Sequence, residues 1–431
     1  MSDLVIKPSR GLGGEITLPG DKSISHRAVL FSAIAEGDTA INGFLNGEDT
    51  RNTAKAVQAM GIAVEGLGTE RLVVRGKGLD GLTEPSDVLD LGNSGTGMRL
   101  MAGLLAGQRF FSVLSGDQYL RKRPMARIVE PLRRMGAIID GRSQAKLAPL
   151  SIRGGALKPI EYDSPVASAQ VKSALLLAGL YASGATSVQE PSKSRDHTER
   201  LFRFFGLDVK EEGTTVTVRG RQRLRSPGPL DIPADLSSAA FFIVAASIVP
   251  ASDVIIKNVG VNPTRTGVID VLLQMGADIT LDNQREQAGE PVADIRVRFR
   301  KLKGVRINGS LIPRAIDEIP ILAVAASYAS GKTVIKDAAE LRVKESDRIS
   351  TMAAELRKMG VNVSELPDGM EIMGRDMLDG AVCESNGDHR IAMSMAVAGL
   401  AASGDTVIRD IGWIDTSFPG FERILRQAAY S

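Results

Sequence analysis

Six times along the chain a polar or glycine-bearing start gives way to an Ala- and Leu-rich run of helical spacing, a small-residue stop and an alternating strand. The copies begin GDKSISHRAVLF at Gly20, GNSGTGMRLMAG at Gly92, SPVASAQVKSALLLAG at Ser164, PADLSSAAFFIVAAS at Pro233, IDEIPILAVAAS at Ile316 and GDHRIAMSMAVAGL at Gly387. Their spacing is roughly 70 to 80 residues. A second helix is predicted after each of the first five, ending in VQAMGIAV, LRRMGAII, FRFFGLDV, LLQMGADI and LRKMGVNV. Gly61, Gly136, Gly206, Gly276 and Gly360 are placed there as C-terminal caps. The sixth copy ends in the shortened FERILRQAAY.

Each unit therefore reads as strand, helix, strand, helix, strand, strand, an α/β class, with alternation in stretches such as RLVVRG and TTVTVRG. Six units predict two domains of three. The Pro- and Gly-rich stretch from Arg225 to Ser238 is the expected linker. Because the first helices are apolar on most faces, they are expected inside, with the sheets outside.

Composition narrows the function classes. With 43% hydrophobic and 24% charged residues, the chain can bury cores of ordinary size. Lys and Arg number 53 against 51 Asp and Glu, so the net charge of +2 provides no strong positive field for a nucleic acid. Aromatic residues at 4%, with one Trp, leave little for base stacking. The apolar run Ala239 to Ile256 is broken by Pro250 and Asp253, which argues against a membrane span. One cysteine, Cys383, excludes an intrachain disulfide, and Met1 to Arg10 lacks the pattern of a leader peptide. A cytoplasmic protein with no nucleic-acid or membrane partner is expected.

Polar chemistry concentrates at the helix starts. Lys22, Ser23 and Ser25 lie in the first turn after Pro19-Gly20, with Arg27 one turn on, so free N–H groups and two cations suit a phosphate or carboxylate. It is no P-loop, since Asp21 precedes Lys22, and Ala326 spoils the match before Gly331-Lys332-Thr333. Asn93 to Thr96 with Arg99, Ser168 to Gln170 with Lys172, and Asp388-His389-Arg390 are further anion-suited starts; Arg123, Arg195, Lys344 and Arg348 add cations from loops. Asp317 lies in the apolar frame AIDEIPILAVAA, where partial burial would suit a general base and where a helix N-cap is the alternative. Glu345 lies between Lys344 and Arg348, as an acid–base group or an ion-pair partner. His26, His197 and His389 lack metal-ligand spacing, so supporting roles are expected and no metal site. Cys383 reads as a buried bystander.

PGDKSISHRA, LGNSGTGMR, KRPM, ASAQVKSA, SRDHTE, IDEIP, RVKESDR and GDHRIAMS, in this order, resemble the 5-enolpyruvylshikimate-3-phosphate synthase family, in the bacterial group that reads GDKSISHR. The resemblance implies an inverse α/β barrel fold: two domains, each of three βαβαββ units, residues 21–231 and residues 1–20 with 232–431, with the active site in the cleft between them. It implies 3-phosphoshikimate 1-carboxyvinyltransferase activity on shikimate 3-phosphate and phosphoenolpyruvate, by addition and elimination through a tetrahedral intermediate, in a monomer without metal or organic cofactor. By motif, Lys22, Ser23, Arg27, Ser168, Gln170, Arg195, Asp317 and Lys344 correspond to shikimate 3-phosphate contacts. Lys22, Gly95, Arg123, Gln170, Arg348 and Arg390 correspond to the phosphoenolpyruvate site. Asp317 is implied as base, Glu345 as proton carrier at C3 and Lys22 as charge stabiliser. Gly95 is read as leaving room for glyphosate, the family's inhibitor. Two departures stand out: Thr416 occupies the position of a lysine in many relatives, and Ala169 replaces a possible phosphate hydroxyl. The alternatives are the sister transferase acting on UDP-N-acetylglucosamine, whose Lys-Asn start and loop cysteine are absent, and a catalytically silent anion binder.

Overall fold

The repeats fold in one local order in the computed structural model, which describes residues 3–430; the outermost residues of the expected 1–20 and 232–431 segments lie outside it. Each repeat has a first helix: Lys22–Ala33, Gly95–Ala106, Ala169–Gly179, Leu236–Ile248, Ile319–Ser327 and His389–Leu400. Side-chain oxygens of Asp21, Ser94, Ser168, Asp235 and Asp388 accept from free backbone N–H groups at five of these starts. Glu318 stands at the remaining start without such a bond, and Pro320 lies in the first turn, where a missing N–H is harmless.

The second helices are Glu48–Ala59, Ala126–Arg134, His197–Phe204, Gly267–Gln274 and Arg348–Lys358, with Phe421–Ala428 as the shortened sixth. Gly61, Gly136, Gly206, Gly276 and Gly360 follow the first five with positive φ, the backbone that ends a helix in the left-handed region.

The chain divides into two units. The N-terminal unit is Gly20–Ile232 with Gln287–Glu290, and the C-terminal unit is Met1–Pro19, Pro233–Glu286 and Pro291–Ser431. The three sheets of the N-terminal unit share one plan. In the second, the short strand Leu89–Asp90 runs parallel to Phe111–Ser115, which is antiparallel to Leu150–Arg153, itself antiparallel to Ile138–Gly141. Glu161–Asp163 holds the parallel edge position in the third sheet, and Pro229–Asp231 holds it in the first, beside Glu36–Asn42. Part of the expected linker is thus a strand. Its edge position tolerates Pro229, which has no N–H to give a neighbour.

In the C-terminal unit, Gly11–Ile16 runs parallel to Asp253–Gly260, and Leu4–Ile6 is antiparallel to Thr406–Arg409. Every residue of Leu236–Ile248 and of Ile319–Ser327 is buried, so here the helices form the interior and the sheets the outside. Phe242, Phe418 and Phe421 pack ring against ring beside them. The long apolar run is therefore divided between this core helix, which ends at Ile248, and the start of strand Asp253–Gly260; no helix among the described residues is long and apolar enough to cross a membrane.

Two features of this packing are measurable. A Cβ on Gly103 would lie 2.2 Å from the carbonyl oxygen of Ala174, so helices Gly95–Ala106 and Ala169–Gly179 meet backbone to backbone. A Cβ on Gly276 meets nothing within 4 Å, and only its φ of +90° resists substitution. Gly103→Ala is expected to destabilise by about 3 kcal/mol through overpacking and Gly276→Ala by about 1 kcal/mol through backbone strain. Denaturant midpoints check this, and equal shifts would contradict the close helix contact. Cys383 lies buried in strand Val382–Glu384, where burial, then the charge of Glu355, push its thiol up to about 12. The native chain should therefore resist an aromatic disulfide reagent at pH 8 and release one equivalent of thiol only on unfolding; rapid native reaction would contradict the burial.

Candidate active site

In the N-terminal unit the cations anticipated at the helix starts are present, but most are already paired. Lys22 opens its helix and forms an ion pair with Asp49, in the first turn of Glu48–Ala59. Asp49 was not legible in the sequence, where an acidic residue in a first turn suits any helix. Arg27 is buried, donating through Nε to Thr198 Oγ1 at 2.7 Å, through Nη2 to Ser173 Oγ at 2.7 Å and through Nη1 to the Ser23 carbonyl at 2.9 Å. Burial brings its pKa down to about 10, against the pull of Glu199 and Asp21 and with the repulsion of Arg195, so it stays charged at neutral pH. His26 bridges Thr53 Oγ1 at 2.8 Å and Ser94 Oγ at 3.3 Å. Burial, then Lys22 and Arg27, hold its pKa well below the ordinary histidine value, so it is a neutral strut between helices.

Gly95 begins its helix against Arg123. A Cβ there would lie 2.7 Å from Nη1 and 2.8 Å from Cζ of that guanidinium. The space read from the sequence as room for a ligand is therefore taken up in part by the arginine. Gln170 lies alongside, its Nε2 donating to Thr96 Oγ1 at 2.8 Å and its Oε1 accepting from Arg99, which also donates to the Pro124 carbonyl. Ser168 caps its helix and donates its own N–H to Glu190 Oε1 at 2.9 Å. Lys172 corrects the sequence reading. It is 1% exposed and bound by Glu190 and Glu199 at 2.9 and 2.7 Å, so it is not offered to an external anion.

In the C-terminal unit Asp317, Lys344, Glu345, Arg348 and Arg390 form one cluster. Arg348, 1% exposed, donates to Asp388 Oδ2 at 2.8 Å, to Glu345 Oε2 at 2.7 Å and to Asp317 Oδ1 at 3.4 Å. Burial works against this charge, yet Asp388 and Glu345, with Asp317, hold the guanidinium pKa above the ordinary value. Asp388 is also buried, and Arg348 overcomes that burial to hold its carboxyl below the usual range. Lys344 Nζ lies 3.3 Å from Asp317 Oδ1, and Arg390 donates to the Asp317 carbonyl at 2.8 Å. The apolar surroundings expected for Asp317 are thus replaced by two cations, and the N-cap position belongs to Glu318. The side chains of Asp317 and Glu345 remain 16% and 19% exposed, so both carboxylates keep a solvent face while one guanidinium orients them.

Glu318 was also missed. It is buried, accepts from Ser237 and lies 3.7 Å from Arg390 and 3.9 Å from Arg265. Its only signal was its place beside Asp317. Thr416 is buried with its hydroxyl donated to the Trp413 carbonyl at 2.6 Å, so it supplies no cation. No group of three metal-capable side chains occurs among the described residues. Cavities of about 620 and 490 Å³ in the C-terminal unit hold none of the candidate side chains.

The chain is similar to known proteins over nearly its whole length. The family model described as EPSP synthase (3-phosphoshikimate 1-carboxyvinyltransferase) matches residues 6–425. The 3-phosphoshikimate 1-carboxyvinyltransferase of Citrifermentans bemidjiense is 58% identical over 425 residues, 99% of each chain. The protein of that name from Desulforamulus reducens is 55% identical over 425 residues, again 99% of each chain. A 2.37 Å structure of EPSP synthase from Acinetobacter baumannii superposes with a TM-score of 0.90 at 48% identity, covering 100% of this chain and 99% of that one. A match that runs through both units, at this identity and with this agreement of fold, means that the chain belongs to the EPSP synthase family.

Proposed function

We propose that the chain transfers the enolpyruvyl group of phosphoenolpyruvate to the 5-hydroxyl of shikimate 3-phosphate and releases phosphate. It works as a cytoplasmic monomer of two domains, 21–231 and 1–20 with 232–431, without metal or organic cofactor and without a nucleic-acid or membrane partner. The observation that carries the reading is the sharing of Arg348 by Asp317 and Glu345, both with a solvent face. A protein that merely captured anions would gain nothing from two orientated carboxylates among its cations.

The chemistry assigns them separate work. Asp317 takes the proton of the 5-hydroxyl as its oxygen bonds to C2 of the enolpyruvyl group, and Glu345 delivers a proton to C3. In the second half the C2–phosphate bond breaks while Glu345 removes a proton from C3, restoring the alkene. Lys22 stabilises charge at the reacting oxygens, with Asp49 holding its ammonium in place. Shikimate 3-phosphate is held by Lys22, Ser23, Arg27, Ser168, Gln170, Arg195, Asp317 and Lys344. Phosphoenolpyruvate is held by Lys22, Gly95, Arg123, Gln170, Arg348 and Arg390; Arg348, unlike Lys172, has partly exposed carboxylate partners in Asp317 and Glu345, and it meets the ligand by loosening its hold on one of them. Arg27 commits three of its five N–H donors to Thr198, Ser173 and the Ser23 carbonyl, so its field and shape act beside any direct contact.

Phosphate release from phosphoenolpyruvate is expected with shikimate 3-phosphate and not with UDP-N-acetylglucosamine. Release with the nucleotide sugar alone, or with neither acceptor, would overturn the reading. Asp317→Asn and Glu345→Gln should each lower kcat by about 10² to 10⁴ in a folded enzyme, the loss expected for one acid–base group. Wild-type turnover in either variant would remove that residue from its role. Gly95→Ala should raise the Michaelis constant for phosphoenolpyruvate about fivefold or more by displacing Arg123. It should weaken glyphosate further, because the longer inhibitor also meets the methyl. An unchanged Michaelis constant would show that Arg123 does not depend on the empty Cβ position.

A further inference from the structure

A lysine buried inside a helix bundle needs a reason, because its ammonium loses its water there. Lys172 lies in Ala169–Gly179 among Val171, Ala174 and Leu175, with 1% of its side chain exposed. Its partners come from two other elements. Glu190 follows strand Ala185–Gln189 directly, and Glu199 lies in the first turn of His197–Phe204. Burial works against the ammonium's charge, but Glu199 and Glu190 together hold the lysine pKa above its ordinary value. Lys172 is thus a fixed charge that no ligand reaches.

Glu190 uses its remaining lone pairs in a telling way. Oε1 accepts from the Ser168 N–H at 2.9 Å, at the cap of the helix start that bears Gln170. Oε2 accepts from the Ser194 hydroxyl at 2.8 Å and from the Ser194 N–H at 3.3 Å, in the turn that bears Arg195. Glu190 itself is fastened to its sheet by its N–H, which donates to the Thr214 carbonyl at 3.1 Å. One buried carboxylate therefore ties two loops to a rigid sheet.

We propose that Glu190, held by Lys172, is a positioning residue for the phosphorylated acceptor: it sets Ser168 and Arg195 at a fixed separation without touching the substrate. This rests on reading Ser168 and Arg195 as shikimate 3-phosphate ligands. Glu190→Gln keeps the size and one acceptor oxygen but loses the charge that Lys172 grips. It should raise the Michaelis constant for shikimate 3-phosphate about tenfold or more, while kcat and the constant for phosphoenolpyruvate stay within about threefold of wild type.

Ser168→Ala and Arg195→Ala are measured in parallel by phosphate release with both substrates. If neither raises the constant for shikimate 3-phosphate, the ligand reading is wrong and the proposal falls with it. If either does and folded Glu190→Gln does not, the proposal alone is wrong. A drop in kcat with both Michaelis constants unchanged means fewer active molecules and also overturns it. Should Glu190→Gln not fold, Ser194→Ala decides in the same assay: a selective rise in the constant for shikimate 3-phosphate supports the proposal, and wild-type behaviour overturns it.

Discussion

A charge withdrawn from water must be met by opposite charge or hydrogen bonds, and this requirement organises both candidate clusters. Arg348 is held by Asp388, Glu345 and Asp317, and Lys172 by Glu190 and Glu199. In each case the buried cation fixes carboxylates that belong to other elements. The two uses then diverge. At Arg348 the carboxylates of Asp317 and Glu345 belong to side chains that stay partly exposed. At Lys172 they are sealed in and serve as braces.

The helix architecture makes this possible. Capping oxygens at the starts of the first helices leave the following turn free to present side chains, and the helices themselves are packed too closely to yield, as at Gly103 against Ala174. Precision at the polar ends is thus inherited from apolar packing further down the same helices. His26 illustrates the coupling, since a neutral ring between Thr53 and Ser94 links three helices beneath Lys22 and Gly95.

Much of the fold was legible because local signals repeat. The five MG or FG helix ends all became positive-φ glycines, and the apolar first helices went inside. The Pro-rich stretch did mark the boundary between the units, at Ile232 and Pro233, but it hid a strand, since a strand at a sheet edge looks like a linker when its partner, Glu36–Asn42, is far away in sequence. The site was legible as an inventory of cations, and only in part as a circuit. Lys172 looked like an anion ligand because Glu190 and Glu199 come from other elements. Asp317 looked apolar because its flanking residues are, whereas Lys344 and Arg348 reach it from later in the chain. Long side chains pair through space, and sequence neighbours do not report on that.

The central claim is that the carboxylates held on Arg348 move the protons of the transfer, Asp317 at the 5-hydroxyl and Glu345 at C3 of the enolpyruvyl group. The direct measurement is the deuterium content at C3 of the enolpyruvyl product formed in D2O, followed alongside phosphate release for the wild type and Glu345→Gln. The account predicts deuterium in the wild-type methylene group, with its appearance and phosphate release slowed together in the variant. A product free of deuterium at C3 would contradict it.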